Sequence, residues 1–333
     1  MRYVKFEDLK SGMALANNVY ENDGVLLLKA SSELTSHSIE KIKRLGYAGL
    51  YVYDNNEILW NPPLVSEEYR NRVIQSLKKM NIEECRKHAE YIVEQIVGQR
   101  NVILESFHLS TAHNYTYSHS VNVCISSVVI GIGMELSRKE LEQLALSALL
   151  HDIGKLVIDS EILEKPGKLT EEEYEEMKRH AEYGYKLLKD NNDIASVTKM
   201  GIYEHHENED GSGYPRGLTT ERIHAFAKII HVADVFDALT AKRCYKEAMN
   251  PADAMEYLMA HSHQMFQAEI VRVFLRYVAL YPLGSTVTLS NGRKAVVALN
   301  RPSFLARPTV VTEDGAVIDL LEVKNLTITG LCI

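Results

Sequence analysis

Two short stretches of the chain concentrate groups that bind metal ions. His151-Asp152-Ile153-Gly154-Lys155 sets an imidazole beside a carboxylate and follows them with a lysine. His205-His206-Glu207-Asn208-Glu209-Asp210-Gly211-Ser212-Gly213-Tyr214-Pro215 sets two adjacent histidines before a run of acids and a glycine-rich turn closed by proline. Imidazole nitrogen and carboxylate oxygen together suit divalent zinc, iron or manganese. Neighbouring residues on a helix diverge by about 100°. His205 and His206 can therefore share a target only if the helix is ending there or the target is wide, and a metal cluster is wide.

The elements that would position these groups are helices. Ala145 to Leu150 is an apolar helix that runs into His151, with Gly154 as its stop. Thr170-Glu171-Glu172-Glu173 is a capping box, so a helix begins there. Its inward stripe is Met177, His180, Ala181, Gly184, Leu187 and Leu188. The segment from Ile194 to His206 places Val197, Gly201 and His205 on one face, with His206 where the chain leaves the helix. Tyr115 to Gly131 carries His119 near its start. Ala227, His231, Asp234, Ala238 and Ala241 share a face, so Asp234 points into an apolar environment, where a carboxylate must be paired, protonated or bound to metal.

Each of these residues has a bland reading when taken singly. His151-Asp152 alone is better read as a surface pair, and a lone His180 as a core histidine satisfied by a carbonyl. Jointly, His119, His151, Asp152, His180, His205, His206 and Asp234 are harder to dismiss, because most face inward from separate helices. One ion rarely takes so many protein ligands and keeps room for water. Two ions bridged by Asp152 would use them all. Two metals about 3.5–4 Å apart lower the pKa of a bridging water and clamp the charge that develops at a phosphoester. His231, on the face of Asp234, is read as structural like the remaining histidines.

Around this helical middle the pattern changes. Residues 1–60 read as a small α/β unit: Asn22-Asp23-Gly24 turns into a strand from Val25 to Leu28, a helix runs from Leu34 to Leu45 and stops at Gly46, and Gly49 to Tyr53 is a strand. Asn61-Pro62-Pro63 marks a boundary. Residues 61–105 read as a helical connector with Asn81 capping its second half, or as a dimer-forming stalk. Residues 106–282 are helix after helix. Residues 283–333 form a small β module with hairpin turns at Asn291-Gly292 and Asp314-Gly315. The expected class is mainly α, a helical bundle with a small α/β unit before it and a small β module after it.

The formal net charge of −8 argues against duplex nucleic acid, whose binding is driven by lysine and arginine. A small anion held by metal and a few basic residues remains open. The longest apolar runs are too short to span a bilayer, which with the absence of a secretory leader leads to a cytoplasmic expectation. Cys85, Cys124, Cys244 and Cys332 are scattered and read as reduced thiols.

HDIGK, His180, HHE and DGSGYP, in this order, resemble the HD-GYP family, a branch of the HD phosphohydrolases; the resemblance covers about residues 110–280. It implies an HD-type bundle and hydrolysis of cyclic di-GMP, a bacterial signalling nucleotide, to linear pGpG and on to GMP. It also implies a dinuclear or trinuclear centre of iron or manganese, with the seven residues above as ligands. Lys155, Arg243 and Lys246 would contact phosphate, and Tyr214 would line the substrate pocket. Trinuclear members carry a glutamate one turn before the first histidine. Here that position is Tyr115, a poor ligand, so two metals are expected, with the product biased toward pGpG. On this reading the ions bind one phosphodiester and present hydroxide in line with the leaving 3′ oxygen, while Lys155 neutralises charge. The rivals are an HD-type hydrolase of another nucleotide and a non-catalytic cyclic di-GMP or metal-sensing module. A homodimer through residues 66–105, and a diguanylate cyclase or other signalling partner, are compatible with the sequence.

Overall fold

The computed structural model describes residues 2–47, 49–53, 63–99, 102–105, 115–165, 167–241 and 248–332. Strands β1 (Arg2–Lys5) and β4 (Gly49–Val52) pair antiparallel, and β2 (Val19–Tyr20) pairs with β3 (Leu26–Leu28) across a turn where Gly24 takes φ +85°. Helix α1 (Ser36–Leu45) opens on a Thr35/Ser38 capping box and closes on Gly46 in the left-handed region, as its sequence signals require. Leu15, Leu34, Ile42 and Leu50 fill a small separate core there.

Helices α2 (Glu67–Lys78) and α3 (Ile82–Val97) follow, capped by Ser66 and Asn81. On α3 the buried residues are Cys85, Ala89, Ile92, Val93 and Ile96, a stripe at helical spacing. That stripe belongs to the same core as the helices that follow, so α2 and α3 are built into the bundle and do not project as a stalk.

The bundle centres on α4 (Tyr115–Gly133), α5 (Arg138–Leu150) and α10 (Ala225–Thr240). Each is apolar over much of its circumference, the composition of helices packed on several sides. Burying a side chain such as Leu144 or Leu149 stabilises the fold by roughly 1.5–3 kcal/mol. Shorter helices surround them: α6 (Ser160–Leu163), α7 (Glu171–Lys178), α8 (His180–Leu188), α9 (Ser196–Glu204), α11 (Pro251–Ala260) and α12 (Ala268–Phe274).

Two sequence expectations need correction here. The helix begun by the Thr170 box does not run through to Leu188. It ends at Lys178 and restarts at His180, with Arg179 between, and Leu187 is 44% exposed and not part of the inward stripe. Gly154 does not stop α5, which ends at Leu150; it sits inside a 3-10 turn spanning Ile153–Val157. A Cβ on Gly154 would collide with the carbonyl oxygen of His180, so the glycine is there to let the turn press against the start of α8.

The C-terminal part is a five-stranded antiparallel sheet in the order β8-β7-β6-β5-β9, formed by β5 (Thr286–Leu289), β6 (Lys294–Leu299), β7 (Thr309–Thr312), β8 (Val317–Asp319) and β9 (Ile328–Cys332). The expected hairpins are present, with Gly292 and Gly315 both at positive φ. Leu104 pairs with Tyr277 and Ala279, and both carboxylate oxygens of Glu105 accept from this region, from the Leu283 amide at 2.9 Å and from Asn300 Nδ2 at 3.2 Å. The architecture is mainly α, with the expected flanking α/β and β parts. No helix among the described residues is long and apolar enough to cross a membrane. Asn61 and Pro62, and the first residues of the 106–282 segment, lie outside the described residues.

Candidate metal centre

Three overlapping groups of donors lie within one small volume: His180, His205 and His206; His119, His151 and Asp152; His151, His205 and Asp234, each with ligand atoms within 4.8 Å of one another. Their union is the set of seven residues expected from the sequence. Helix ends bring them together. His151 follows α5, His180 opens α8, His205 and His206 follow α9, His119 lies in the second turn of α4, and Asp234 lies within α10. The wide target and the ending helix are therefore both present at His205 and His206.

The ring orientations are fixed. His151, His180 and His205 each place Nδ1 on the carbonyl three residues back, those of Ala148, Met177 and Ile202, at 2.8, 2.7 and 2.7 Å. A carbonyl only accepts, so Nδ1 carries the proton and Nε2 is left with a lone pair aimed at the cluster. His180 Nε2 and His205 Nε2 are 3.2 Å apart. Two lone pairs facing each other at that distance repel unless a cation lies near both. His151 Nε2 is buried with no hydrogen-bond partner, a costly arrangement in a bundle core. These features fit a divalent cation.

The electrostatics agree. Burial pushes His180 down to about 4, and burial reinforced by neighbouring imidazoles takes His205 and His206 well below the usual histidine range. These rings are neutral at pH 7, the form that binds metal. Burial opposes ionisation of Asp152, but Lys155, whose Nζ sits 2.6 Å from Oδ2, and the surrounding histidines outweigh it and hold the carboxyl well below the usual range. Asp152 Oδ2 lies 3.5 Å from His151 Nε2 and Oδ1 lies 3.5 Å from His180 Nε2, so the carboxylate spans the two sides of the cluster. Asp234 is held low in the same way, chiefly against burial by a hydrogen bond from His119. His119 differs: burial works against its charge, yet hydrogen bonds to Asp234 at 2.9 Å and Asp237 at 2.7 Å push it up to about 9.

The glycine-rich loop is anchored by residues the sequence left in the background. Glu207 is buried, and its two oxygens accept from the amides of Arg216 and Leu218 at 2.7 Å each. Glu204, also buried, accepts from Arg216 Nη1 and from the His224 amide, both at 2.8 Å. Gly211 takes φ +81°, and a Cβ on Gly213 would strike the backbone of residues 206–208. So held, Tyr214 stacks on the His206 ring with centroids 4.6 Å apart, and Lys178 Nζ lies 5.8 Å from the centroid of the Tyr214 ring. Asp210 is exposed and bonded to Ser212. His231 donates from Nδ1 to the Glu207 carbonyl at 2.9 Å, the structural part expected of it.

Asp237 was not singled out from the sequence. It lies three residues after Asp234 on α10, and that spacing alone puts it on the same face. Arg243 and Lys246 lie outside the described residues, as does the side chain of Tyr115.

The model of the HD domain family matches residues 108–270. A cyclic di-GMP phosphodiesterase of Pseudomonas aeruginosa is 37% identical over 67% of this chain and 55% of its own length. A 3'3'-cGAMP-specific phosphodiesterase of Vibrio cholerae is 36% identical over 50% of this chain and 36% of its own. The chain thus spans about half or less of the length of these relatives. A solved HDG"Y"P protein from Bdellovibrio bacteriovorus superposes with a TM-score of 0.51 at 15% identity, covering 82% of this chain and 97% of that one, which shows a shared fold. HDIGK and HHE…DGSGYP lie inside the matched residues, and His151, Asp152, His205 and His206 from them meet at one centre, so residues 108–270 of this chain form an HD domain.

Proposed function

We propose that this protein is a metal-dependent phosphodiesterase that opens cyclic di-GMP to linear pGpG at a dinuclear centre. The supporting observation is the set of seven buried or half-buried donors gathered in one small volume, with Asp152 between the two sides. Two ions held there, iron or alternatively manganese, would supply an activated water and neutralise the phosphodiester.

The protein's own residues do the rest. His180, His205 and His206 would hold one ion, His119, His151 and Asp234 the other, and Asp152 would serve both. Lys155 keeps Asp152 ionised and, being 26% exposed at its side chain, also reaches solvent, where it can meet the phosphate or the leaving oxygen. Tyr214 offers an aromatic face beside the centre on which a base can stack. Arg243 and Lys246, which the resemblance implies as phosphate contacts, would add positive charge for the substrate. With tyrosine at position 115 in place of a carboxylate, no third ion is held, and the reaction stops mainly at pGpG.

The test is turnover by protein purified without oxygen, with metal counted in the same sample. Release of pGpG at about two ions per chain supports the whole reading. Turnover of 3′3′-cGAMP in preference to cyclic di-GMP would keep the chemistry and replace the substrate. A filled centre that turns over neither nucleotide would sink the enzymatic reading and leave a metal-bound signalling module.

A further inference from the structure

Around His119 two helices interlock through residues three apart. His119 and Asn122 lie on one face of α4, and Asp234 and Asp237 lie on one face of α10. They alternate: Asp234 Oδ1 is 2.9 Å from His119 Nε2, His119 Nδ1 is 2.7 Å from Asp237 Oδ2, and Asp237 Oδ1 accepts from Asn122 Nδ2 at 2.9 Å. The row continues out of the HD domain. Asn122 Oδ1 accepts from Arg70 Nη1 at 2.6 Å, and Arg70 belongs to α2. Arg70 is 6% exposed, and its Nε lies 4.0 Å from the carboxylate of Glu67.

A cationic donor on one side and an anionic acceptor on the other leave Asn122 one orientation, amide oxygen toward Arg70 and amide nitrogen toward Asp237. Asp237 then has one oxygen occupied and the other aimed at His119 Nδ1. In this structure Nε2 is hydrogen-bonded to Asp234; an ion taking the place of that proton would find Nδ1–H held by Asp237, an arrangement that fixes Nε2 as the ligand atom and raises its basicity.

We propose that Arg70, Asn122 and Asp237 form a positioning relay that sets the tautomer and orientation of His119, so that the seating of α2 sets how tightly the centre holds an ion on that side. This rests on the metal-centre reading above. A buried arginine whose neighbours needed only apolar packing would be poorly suited to this place, because its desolvation is repaid only by the carboxylates it faces. Helix α2 is also where the N-terminal hairpin rests, with Lys78 Nζ donating to the Asn22 carbonyl at 2.7 Å. A shift of that hairpin would therefore reach His119 through one helix and three hydrogen bonds.

The test uses the full chain, wild type against Arg70→Met, Arg70→Lys and Asp237→Asn. In metal-free protein labelled with 15N-histidine, the ring nitrogens of His119 report its protonation directly. Manganese binding is then measured by competition with a chelator, and kcat and KM for cyclic di-GMP follow. Asp237→Asn is expected to weaken one of two manganese sites about 10–100-fold and Arg70→Met about 10-fold, each with a changed His119 spectrum and a fall in kcat at little-changed KM. Arg70→Lys, which keeps the charge, should recover most of the affinity. Unchanged His119 signals together with manganese affinity within about twofold of wild type in Arg70→Met would overturn the relay. Should Arg70→Met fail to fold, Asn122→Ser breaks the same row with the arginine in place and decides by the same two readouts. If wild type binds no manganese, the metal-centre reading fails, and the His119 spectrum still decides whether the relay exists.

Discussion

The histidines of the centre are held by two different means. His180 and His205 on one side, and His151 next to His119 on the other, are each tied to a carbonyl three residues back along their own chain. His119 is tied to carboxylates from α10, which are themselves oriented by α4 and α2. The first kind of support forms with the local turn and needs no distant partner. The second exists only when three helices are correctly packed. A local tether makes a ligand robust, whereas a tertiary one makes it adjustable, and the adjustable side is the one that faces the N-terminal part of the molecule.

Asp152 joins the two sides, so its loss should be the largest single effect. Asp152→Asn keeps the volume, removes the charge and leaves Lys155 without its partner at 2.6 Å. Hydrolysis of cyclic di-GMP is expected to fall by about a thousandfold or more with far-UV circular dichroism unchanged. Turnover near the wild-type rate would refute the assignment of Asp152 as the link.

The locally tethered side should yield to a backbone insult and not to a distant one. Gly154→Ala puts a methyl group into the His180 carbonyl, which no rotamer change relieves. We expect a loss of about 3 kcal/mol in chemical denaturation together with weakened metal binding on the side of His180. A variant as stable as wild type would mean that the close approach of the Ile153–Val157 turn to α8 does not matter.

Glu207 tests the same contrast at the loop, since it is a side chain doing by tertiary contact what a carbonyl does elsewhere. Glu207→Gln replaces one acceptor oxygen by a donor that cannot satisfy the second of its two amides. The expected cost is about 1–3 kcal/mol, seen mainly as a raised KM, because Tyr214 is carried on that loop. A raised KM with kcat preserved would fit loop anchoring; loss of kcat alone would point to a part in the chemistry.

The same distinction explains what the sequence disclosed. The seven donors were legible because each sits at a helix end or on an inward stripe, features that spacing alone reveals. The break at Arg179 was not, because apolar spacing runs through it without a fault; at the break the turn around Gly154 packs closely on His180, a contact between segments. Nothing in the run of acids sets Glu207 apart from Asp210, and only the fold separates a buried clamp from an exposed turn residue. Asp237 carried a usable signal in its spacing from Asp234. Arg70 carried a signal in its place on the stripe of Val73, Ile74 and Leu77, but not in its partner, since Asn122 lies 52 residues away.

Glu105 extends the comparison to the junction with the C-terminal sheet, where a long-range tether can be titrated. Burial pushes its carboxyl up to about 7, against the Leu283 amide and Asn300, which favour the charged form but do not outweigh it. The unfolded chain releases this proton near pH 4.5 and the folded chain near 7. Between those values the folded state binds more protons, so Glu105 contributes less stability as pH rises, and its contribution levels off above about 7. The midpoint of thermal unfolding should decline by about 2–4 °C more in wild type than in Glu105→Gln between pH 5 and 7.5, because glutamine has no proton to lose. Parallel curves for the two proteins would show that the junction is held by the pairing of Leu104 with Tyr277 and Ala279, a backbone tether after all.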